Sequence, residues 1–345
     1  MDFGASDNAN IQASTRELFL SSVVPAVVMK MPLLARVYLA RQMSFRGGKY
    51  ITRPVDKAEM DDLHQSYFPT DRLTVGKKSM LETPYFHWKY MQVPVSYDVE
   101  EYLQNSGGGD LAPVDLIKFL TRKAQRACRI ALYKQLYGIG TSTVVDSDHD
   151  REFQSLVEAL THNGTYGHLT RATTTTNPWW QGGSIAETWA DQATSYAPSI
   201  STFRRQVDAV SIYEPDQPGS YLYVCGPAIF RSLQSQVEAR HSYGRVGGTL
   251  LAKYGFTTLE IDGLEVVLDP FLRNSIATNA HKWTFLLHVP DFELRLHPRR
   301  AFEFTGMTWQ GDRADGYDEW AGRIMLAGNS ILWDPNKSIY NSNVA

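Results

Sequence analysis

Three acidic residues at alternate positions, Asp146, Asp148 and Asp150, are the nearest approach in this chain to a metal-binding loop. Carboxylates so spaced open a calcium loop, where alternate oxygen ligands converge on a hard cation. That loop also needs Gly at its sixth position and Glu at its twelfth, where Arg151 and Val157 stand. The triplet reads as a solvated turn before a helix. Gly138, Gly140 and Thr143 approach a dinucleotide loop, but they follow a helical stretch and lack the third glycine. The run 107–109 has no following Lys-Ser/Thr, so it is no phosphate loop. Both read as hinges. The nine histidines never pair at i+2, i+3 or i+4, and HExxH, CxxC and GxSxG are all missing. Cys128 and Cys225 are too few and too far apart for a disulfide framework or a zinc ribbon. No catalytic, cofactor-binding or metal-binding residue is assigned.

Basic residues offer the other chemistry. Lys118, Arg122, Arg126 and Arg129 share one side of a helical stretch and could approach a nucleic-acid backbone, or simply form a solvated face. Lys77 and Lys78 mark a charged turn.

The elements that carry these residues follow from periodicity. Residues 1–45 read as an arm, with a polar lead into an apolar helical pattern that Pro25 and Pro32 keep short. Residues 46–102 change to strand character, with turns at 47–49 and 75–79 and an alternating ribbon over 86–102. The pattern predicts a long helix over 113–137, ended by Gly138. Leu116, Leu120, Ala124, Cys128, Leu132 and Leu136 form its apolar stripe, widened by Ile117, Ala127 and Ala131. A shorter helix is expected over 151–160, then a long polar loop, TYGHLTRATTTTNPWWQGG, over 165–183. Beyond it come a strand at 220–226, a helix at 227–241 and a hairpin at 257–270 turning on Asp262-Gly263. Strands are expected at 281–289, 292–297, 302–310 and 322–333.

Composition excludes whole classes. The 345 residues are 43% hydrophobic and 21% charged, an ordinary globular balance. A net charge of −3 argues against a dedicated nucleic-acid binder. Residues 1–137 nevertheless sum to +4 and the remainder to −7, so the two parts face different surroundings. The most apolar N-terminal stretch, 18–29, is too short to span a membrane and carries its positive charges on the wrong side for a signal peptide. A protein made in the cytoplasm is expected. The excess lies in aromatics, 8 Trp, 18 Tyr and 15 Phe, which suits large protein interfaces.

Order and motifs together resemble the major capsid proteins of tailed bacteriophages, with the Hong Kong-type capsid fold that herpesvirus shells also use. The local likeness lies in the tyrosine-glycine, arginine and Asn-Pro-Trp-Trp of 165–183, and in HKWTFLLH, RRAFEFTGMTWQ and RIMLAGNSILWDPN over 281–336. The resemblance implies an α+β chain with an N-terminal arm (1–45) and an extended loop (46–102) lying over a neighbouring subunit. It further implies a peripheral domain (103–194) with a spine helix (113–137), an axial domain (195–318) and a return to the peripheral domain (319–345).

The function it implies is structural. The chain would self-assemble as hexamers and pentamers into an icosahedral head shell around double-stranded DNA, assembled in the host cytoplasm and resident in the virion. Implied partners are a separate scaffolding protein, since no fused scaffolding segment is encoded, together with a portal and a cement protein. Lys118, Arg122, Arg126 and Arg129 would touch packaged DNA without reading its sequence, and Lys77 and Lys78 would make loop-tip contacts between subunits. Two other readings stay open: a cytoplasmic enzyme assembled from scattered residues such as His281, Asp262 and Arg299, and a different virion protein.

Overall fold

The computed structural model describes residues 31–57, 66–69, 71–72, 79–101, 112–139, 151–171, 177–183, 199–211, 218–239, 251–273, 280–309 and 318–341. In chain order, α1 (Pro32–Leu39) and β1 (Met43–Phe45) come first. Then β2 (Ile51–Thr52) and β3 (Val55–Asp56) run outward, and β4 (Leu81–Glu82) and β5 (Tyr85–Phe86) return beside them. Next are β6 (Lys89–Asp98), α2 (Ala112–Leu136), α3 (Leu156–Leu160), and the hairpin of β7 (Gly164–Tyr166) with β8 (Leu169–Arg171). The chain continues through α4 (Ile200–Ser211), β9 (Tyr221–Cys225), α5 (Pro227–Ala239), β10 (Thr258–Ile261), β11 (Leu264–Leu268) and β12 (Thr284–His288). It closes with β13 (Phe292–Leu296), β14 (Glu303–Phe304), β15 (Thr308–Trp309), β16 (Glu319–Leu332) and β17 (Ile339–Asn341).

Two sheets organise these elements. In the first, the long β16 pairs with β6 along one edge and with β15, β14 and β13 in turn along the other, while β1 lies parallel on β13. The second has the order β10-β11-β9-β12-β17. The pleat sends alternate side chains to opposite faces, so β9 serves two cores at once. Leu222 and Val224 join the larger core with Phe285 and Leu287, while Tyr221, Tyr223 and Cys225 pack on the opposite face. There Phe203 and Val210 of α4 and Phe230 and Leu233 of α5 cover them. Buried on both faces, β9 and β12 are apolar almost throughout, as sheets covered by helices on both sides require.

The long helix is as the pattern predicts, with Ala124, Cys128, Leu132 and Leu136 buried at four-residue spacing. Ala127 is exposed, so the stripe is narrower on that flank than expected. Gly138, at φ +66°, ends the helix in the left-handed region. Pro32 starts α1 at its first position, where its missing N–H costs nothing. Leu33, Leu34, Ala35 and Val37 of that helix are buried in the main core.

Several expected elements differ. The strand expected over 86–102 pairs with β16 from Lys89↔Gly328 to Asp98↔Glu319, so the ribbon proper is the narrower β2–β5 and β3–β4 pair. The helix expected over 151–160 is only α3. Ser155 caps it, accepting from the Glu158 N–H, while the Gln154 N–H is taken by the Asn329 side chain at 2.9 Å. The strand expected over 302–310 breaks into β14 and β15 around Gly306 at φ +81°. Across the division expected at 318, β13 to β15 belong to the sheet of β16, and β17 belongs to that of β12. The acidic triplet 146–150 and the glycines 107–109 lie outside the described residues.

Candidate assembly surfaces

The ribbon is two strands wide and has little with which to bury its own side chains. Ile51 and Val55 are buried toward the body, and Lys57 pairs with Glu82 at 2.9 Å. Between the outgoing and returning strands, Tyr67 and Phe68 are 61% and 75% exposed, and Leu81 of β4 is 60% exposed. An isolated two-stranded ribbon is marginal in water, so such residues need cover from elsewhere.

At its root the ribbon meets the β7–β8 hairpin. Gly167 and His168 both have positive φ, 58° and 64°, as a tight two-residue hairpin turn demands. A Cβ on Gly167 would lie 2.7 Å from the Phe86 ring, so glycine lets the turn seat directly against β5. The Tyr85 N–H donates to the Gly167 carbonyl at 3.3 Å.

The two segments that carry the family resemblance are joined in space. Arg171, 3% exposed, donates to the carbonyls of Ala159 at 2.8 Å and Glu158 at 2.7 Å. These are last-turn carbonyls of α3, of which Glu158's also accepts from the Thr161 N–H at 3.3 Å. Its guanidinium also stands 5.1 Å from the Tyr166 ring centroid. Trp180 donates its indole N–H to the Tyr166 carbonyl at 2.9 Å, and Asn177 its amide to the Thr170 carbonyl at 2.9 Å. The closing segment ties on from the other side. The Leu332 N–H donates to the Tyr166 hydroxyl at 2.8 Å, and Asn336 donates to the Trp179 carbonyl at 2.8 Å. Asn329 accepts from the Gln154 N–H and donates to the His87 carbonyl at 3.1 Å, while the Ser330 hydroxyl donates to the Gln154 carbonyl. A Cβ at Gly328 would lie 2.5 Å from the Arg295 carbonyl oxygen, so the strand crossing needs glycine there. These motif residues act as a structural tie between segments.

A second tie joins Ser44 of β1 to Glu293, which also accepts from the Trp333 indole at 2.7 Å and from Arg295 at 2.9 Å. Burial would raise the Glu293 carboxyl, but these donors more than offset it and hold its pKa below the ordinary value.

The buried titratable groups have structural partners. Asp269 is fully buried just after β11, accepting from Tyr137, the residue after α2, at 2.8 Å and from the Phe271 N–H at 2.8 Å. Burial pushes its pKa from 3.8 to about 6, against the pull of those donors. The neutral form therefore stabilises the fold: the contribution is full below pH 3.8 and lost as pH rises through about 6. Asp334, raised to about 6 by burial and by nearby Asp291, acts in the same sense. Buried His162, lowered to about 3, acts oppositely, losing its contribution as pH falls below 6.5. The Asp269 part is isolated by difference. Between about pH 7.5 and 4.5, wild type should gain about 2 kcal/mol relative to Asp269→Asn in urea denaturation. Parallel pH curves for the two proteins would refute the assignment.

Among the described residues, the three scattered residues of the enzyme reading lie on separate turns. Asp262, at the β10–β11 turn, is held by Arg204 at 2.7 Å; His281 lies in the turn before β12, and Arg299 in an exposed turn after β13. Among the described residues no group of three or more His, Cys, Asp or Glu side chains could hold a metal ion. Among them, too, no helix is long and apolar enough to cross a membrane.

Of the basic stripe, Arg122 and Arg126 are exposed on α2 and Arg129 is half-buried. Lys118 lies in the same helix, its side chain outside those described. Lys77 and Lys78 are outside the described residues. The motif tie was legible as a resemblance but not as a set of contacts, because the bonds that join it to the closing segment span more than 150 residues.

No protein-family model matches the chain, and no curated protein resembles it in sequence. Solved structures match over nearly the whole length. A chain of the cyanophage A-1(L) capsid superposes with a TM-score of 0.59 at 14% identity, covering 91% of this chain and 93% of that one. The capsid of an empty GTA particle gives 0.53 at 11% identity, covering 88% and 94%. The SrpI encapsulin of Synechococcus elongatus gives 0.52 at 10% identity, covering 89% and 87%. With identity so low, the likeness resides in the path of the chain, and that path, from ribbon through long helix to the two sheets, is the Hong Kong-type capsid fold.

Proposed function

We propose that this chain is the major capsid protein of a tailed bacteriophage, self-assembling into the icosahedral head shell that encloses double-stranded DNA. The observation that carries the reading is the ribbon, which displays Tyr67, Phe68 and Leu81 on a capsid fold. Such a surface suits burial under another copy of the chain, in closed hexamers and pentamers. In this reading the ribbon from β2 to β5, within the 46–102 expected from sequence, is the extended loop lying over the neighbour, and α2 is the spine of the peripheral domain. The second sheet with α4 and α5 is the axial domain. Binding energy is spread over interfaces, so no catalytic centre, cofactor or metal is assigned. A separate scaffolding protein, a portal and a cement protein are the expected partners, with assembly in the host cytoplasm and residence in the virion. Lys77 and Lys78 would make loop-tip contacts between subunits.

The test is negative-stain microscopy after size-exclusion chromatography, on the protein expressed alone and with its neighbouring gene products. Closed shells, or pentamers and hexamers, are the expected result. A monomer or dimer under every condition would overturn it.

The stripe of Lys118, Arg122, Arg126 and Arg129 would lie against DNA phosphates. The double variant Arg122→Ala/Arg126→Ala should keep empty shells intact and lower retained DNA, with the salt slope of binding reduced by about two. Loss of the shells themselves would assign these arginines to assembly instead.

A further inference from the structure

The long β6–β16 pairing carries opposite charge at its two ends. Two loops meet at the end where Lys89 pairs with Gly328. β1 runs parallel to β13 with Phe45 beside Leu296, which brings Arg46 next to His297. The His297 N–H donates to the Ala327 carbonyl at 2.8 Å. The Trp88 indole N–H donates to the Gly48 carbonyl at 2.8 Å, and its ring stands edge-on to His297 at 5.5 Å. Arg46 and Lys49 of the first loop and Arg299 and Arg300 of the second are exposed. Lys49 stands over the Tyr50 ring at 5.1 Å, and among the described residues none of the four cations has an ion-pair partner. At the other end Asp98 stands directly opposite Glu319, with Asp318 next to it in the chain. Like charges so placed on neighbouring strands destabilise a sheet. Asp98 and Asp318 are exposed and Glu319 is half-buried, and among the described residues no cation pairs with any of the three.

We infer that the basic end of one copy docks on the acidic end of the next, a head-to-tail contact that rests on the capsid reading above. β6 is ten residues long, so at ~3.3 Å per residue its ends lie about 30 Å apart. That is roughly three times the distance over which salt screens charges, so the ends do not neutralise each other within one chain. Between two copies they meet directly. A contact between two different patches of the same chain is heterologous, and it closes into rings where the rotation allows, as pentamers and hexamers require. It supplies cations to Asp98 and Glu319, relieving their mutual repulsion, and the opposed charges fix the register of the two copies.

Charge reversal tests this on the full chain. Arg299→Glu/Arg300→Glu and Asp98→Lys/Glu319→Lys change surface side chains and should leave thermal denaturation near that of wild type. Each sets like charge against like across the contact, so each should raise the concentration needed for assembly about tenfold or more, read by light scattering at about 0.1 M salt. The chain carrying all four substitutions restores opposite charge and should return to within about threefold of the wild-type threshold. Unchanged thresholds in both double variants, or a fourfold variant no better than the doubles, would overturn the contact while wild-type shells leave the capsid reading standing. Lowered DNA retention at an unchanged threshold would assign the basic end to the genome and overturn it too. A wild-type chain that forms neither rings nor shells would overturn both. Should a double variant fail to fold, Arg299→Gln/Arg300→Gln or Asp98→Asn/Glu319→Gln takes its place, with a rise of about threefold expected and no rise counting against the contact.

Discussion

Arg171→Ala is expected to lower the folding free energy by about 3–5 kcal/mol, the largest single-residue effect anticipated for this chain. The buried Ala159 carbonyl loses its donor at roughly 1–3 kcal/mol, and the half-buried Glu158 carbonyl, which keeps the Thr161 N–H, loses a charge-assisted second one. Tyr166 loses the cation at its ring face. Burial lowers the Arg171 pKa only to about 10, so the side chain stays charged at neutral pH and the bonds to it are charge-assisted. Arg171→Lys should fall between, since an ammonium keeps the charge but not the planar fork that serves two acceptors together. Urea denaturation of the three proteins measures the series. An alanine variant within about 1 kcal/mol of wild type would show that the tie between α3 and the β7–β8 hairpin is not held by this guanidinium.

The second large effect should appear in assembly and leave the fold untouched. Tyr67→Ser, Phe68→Ser and Leu81→Thr combined remove three large apolar side chains that are exposed in the single chain. Surface substitutions of this kind normally change stability by less than about 0.5 kcal/mol each. If a second copy buries them, each contributes roughly 1.5–3 kcal/mol to association. The combined loss raises the concentration needed for assembly by about three orders of magnitude or more. Light scattering against protein concentration reads the threshold, and thermal denaturation checks the fold. Shells forming at the wild-type threshold would show that the ribbon's apolar residues face solvent in the assembly.

Much of the fold was legible because its elements follow from local physics. The four-residue spacing of Ala124, Cys128, Leu132 and Leu136 predicted the buried side of α2, since helix geometry stacks those positions whatever the chain does elsewhere. Asp262-Gly263 marked the β10–β11 turn, and both residues have the positive φ such a turn demands. The apolar runs at β9 and β12 announced strands, and their burial on both faces emerged with the structure. Where the reading of local pattern failed, a distant partner had intervened. Gln154 is drawn out of a helix by Asn329 and Ser330, and β6 takes β16, more than two hundred residues away, as its partner.

The amino-acid sequence by itself therefore determined the inventory: which stretches are helix or strand, which faces are apolar, and that no catalytic motif is present. It also carried the resemblance to capsid proteins, in Tyr166, Gly167, Arg171, Asn177, Trp179 and Trp180 and in the closing segment. Only the tertiary structure decided what those residues do. Arg171 caps α3 from a neighbouring hairpin, Tyr166 and Trp179 bond to the closing strand and turn, and Tyr85, His87 and His168 converge at the root of the ribbon. The reason is the range of the forces involved. Helix periodicity and turn conformation are set by residues a few positions apart, whereas a buried hydrogen bond depends on which distant segment the collapse of two cores brings within about 3 Å.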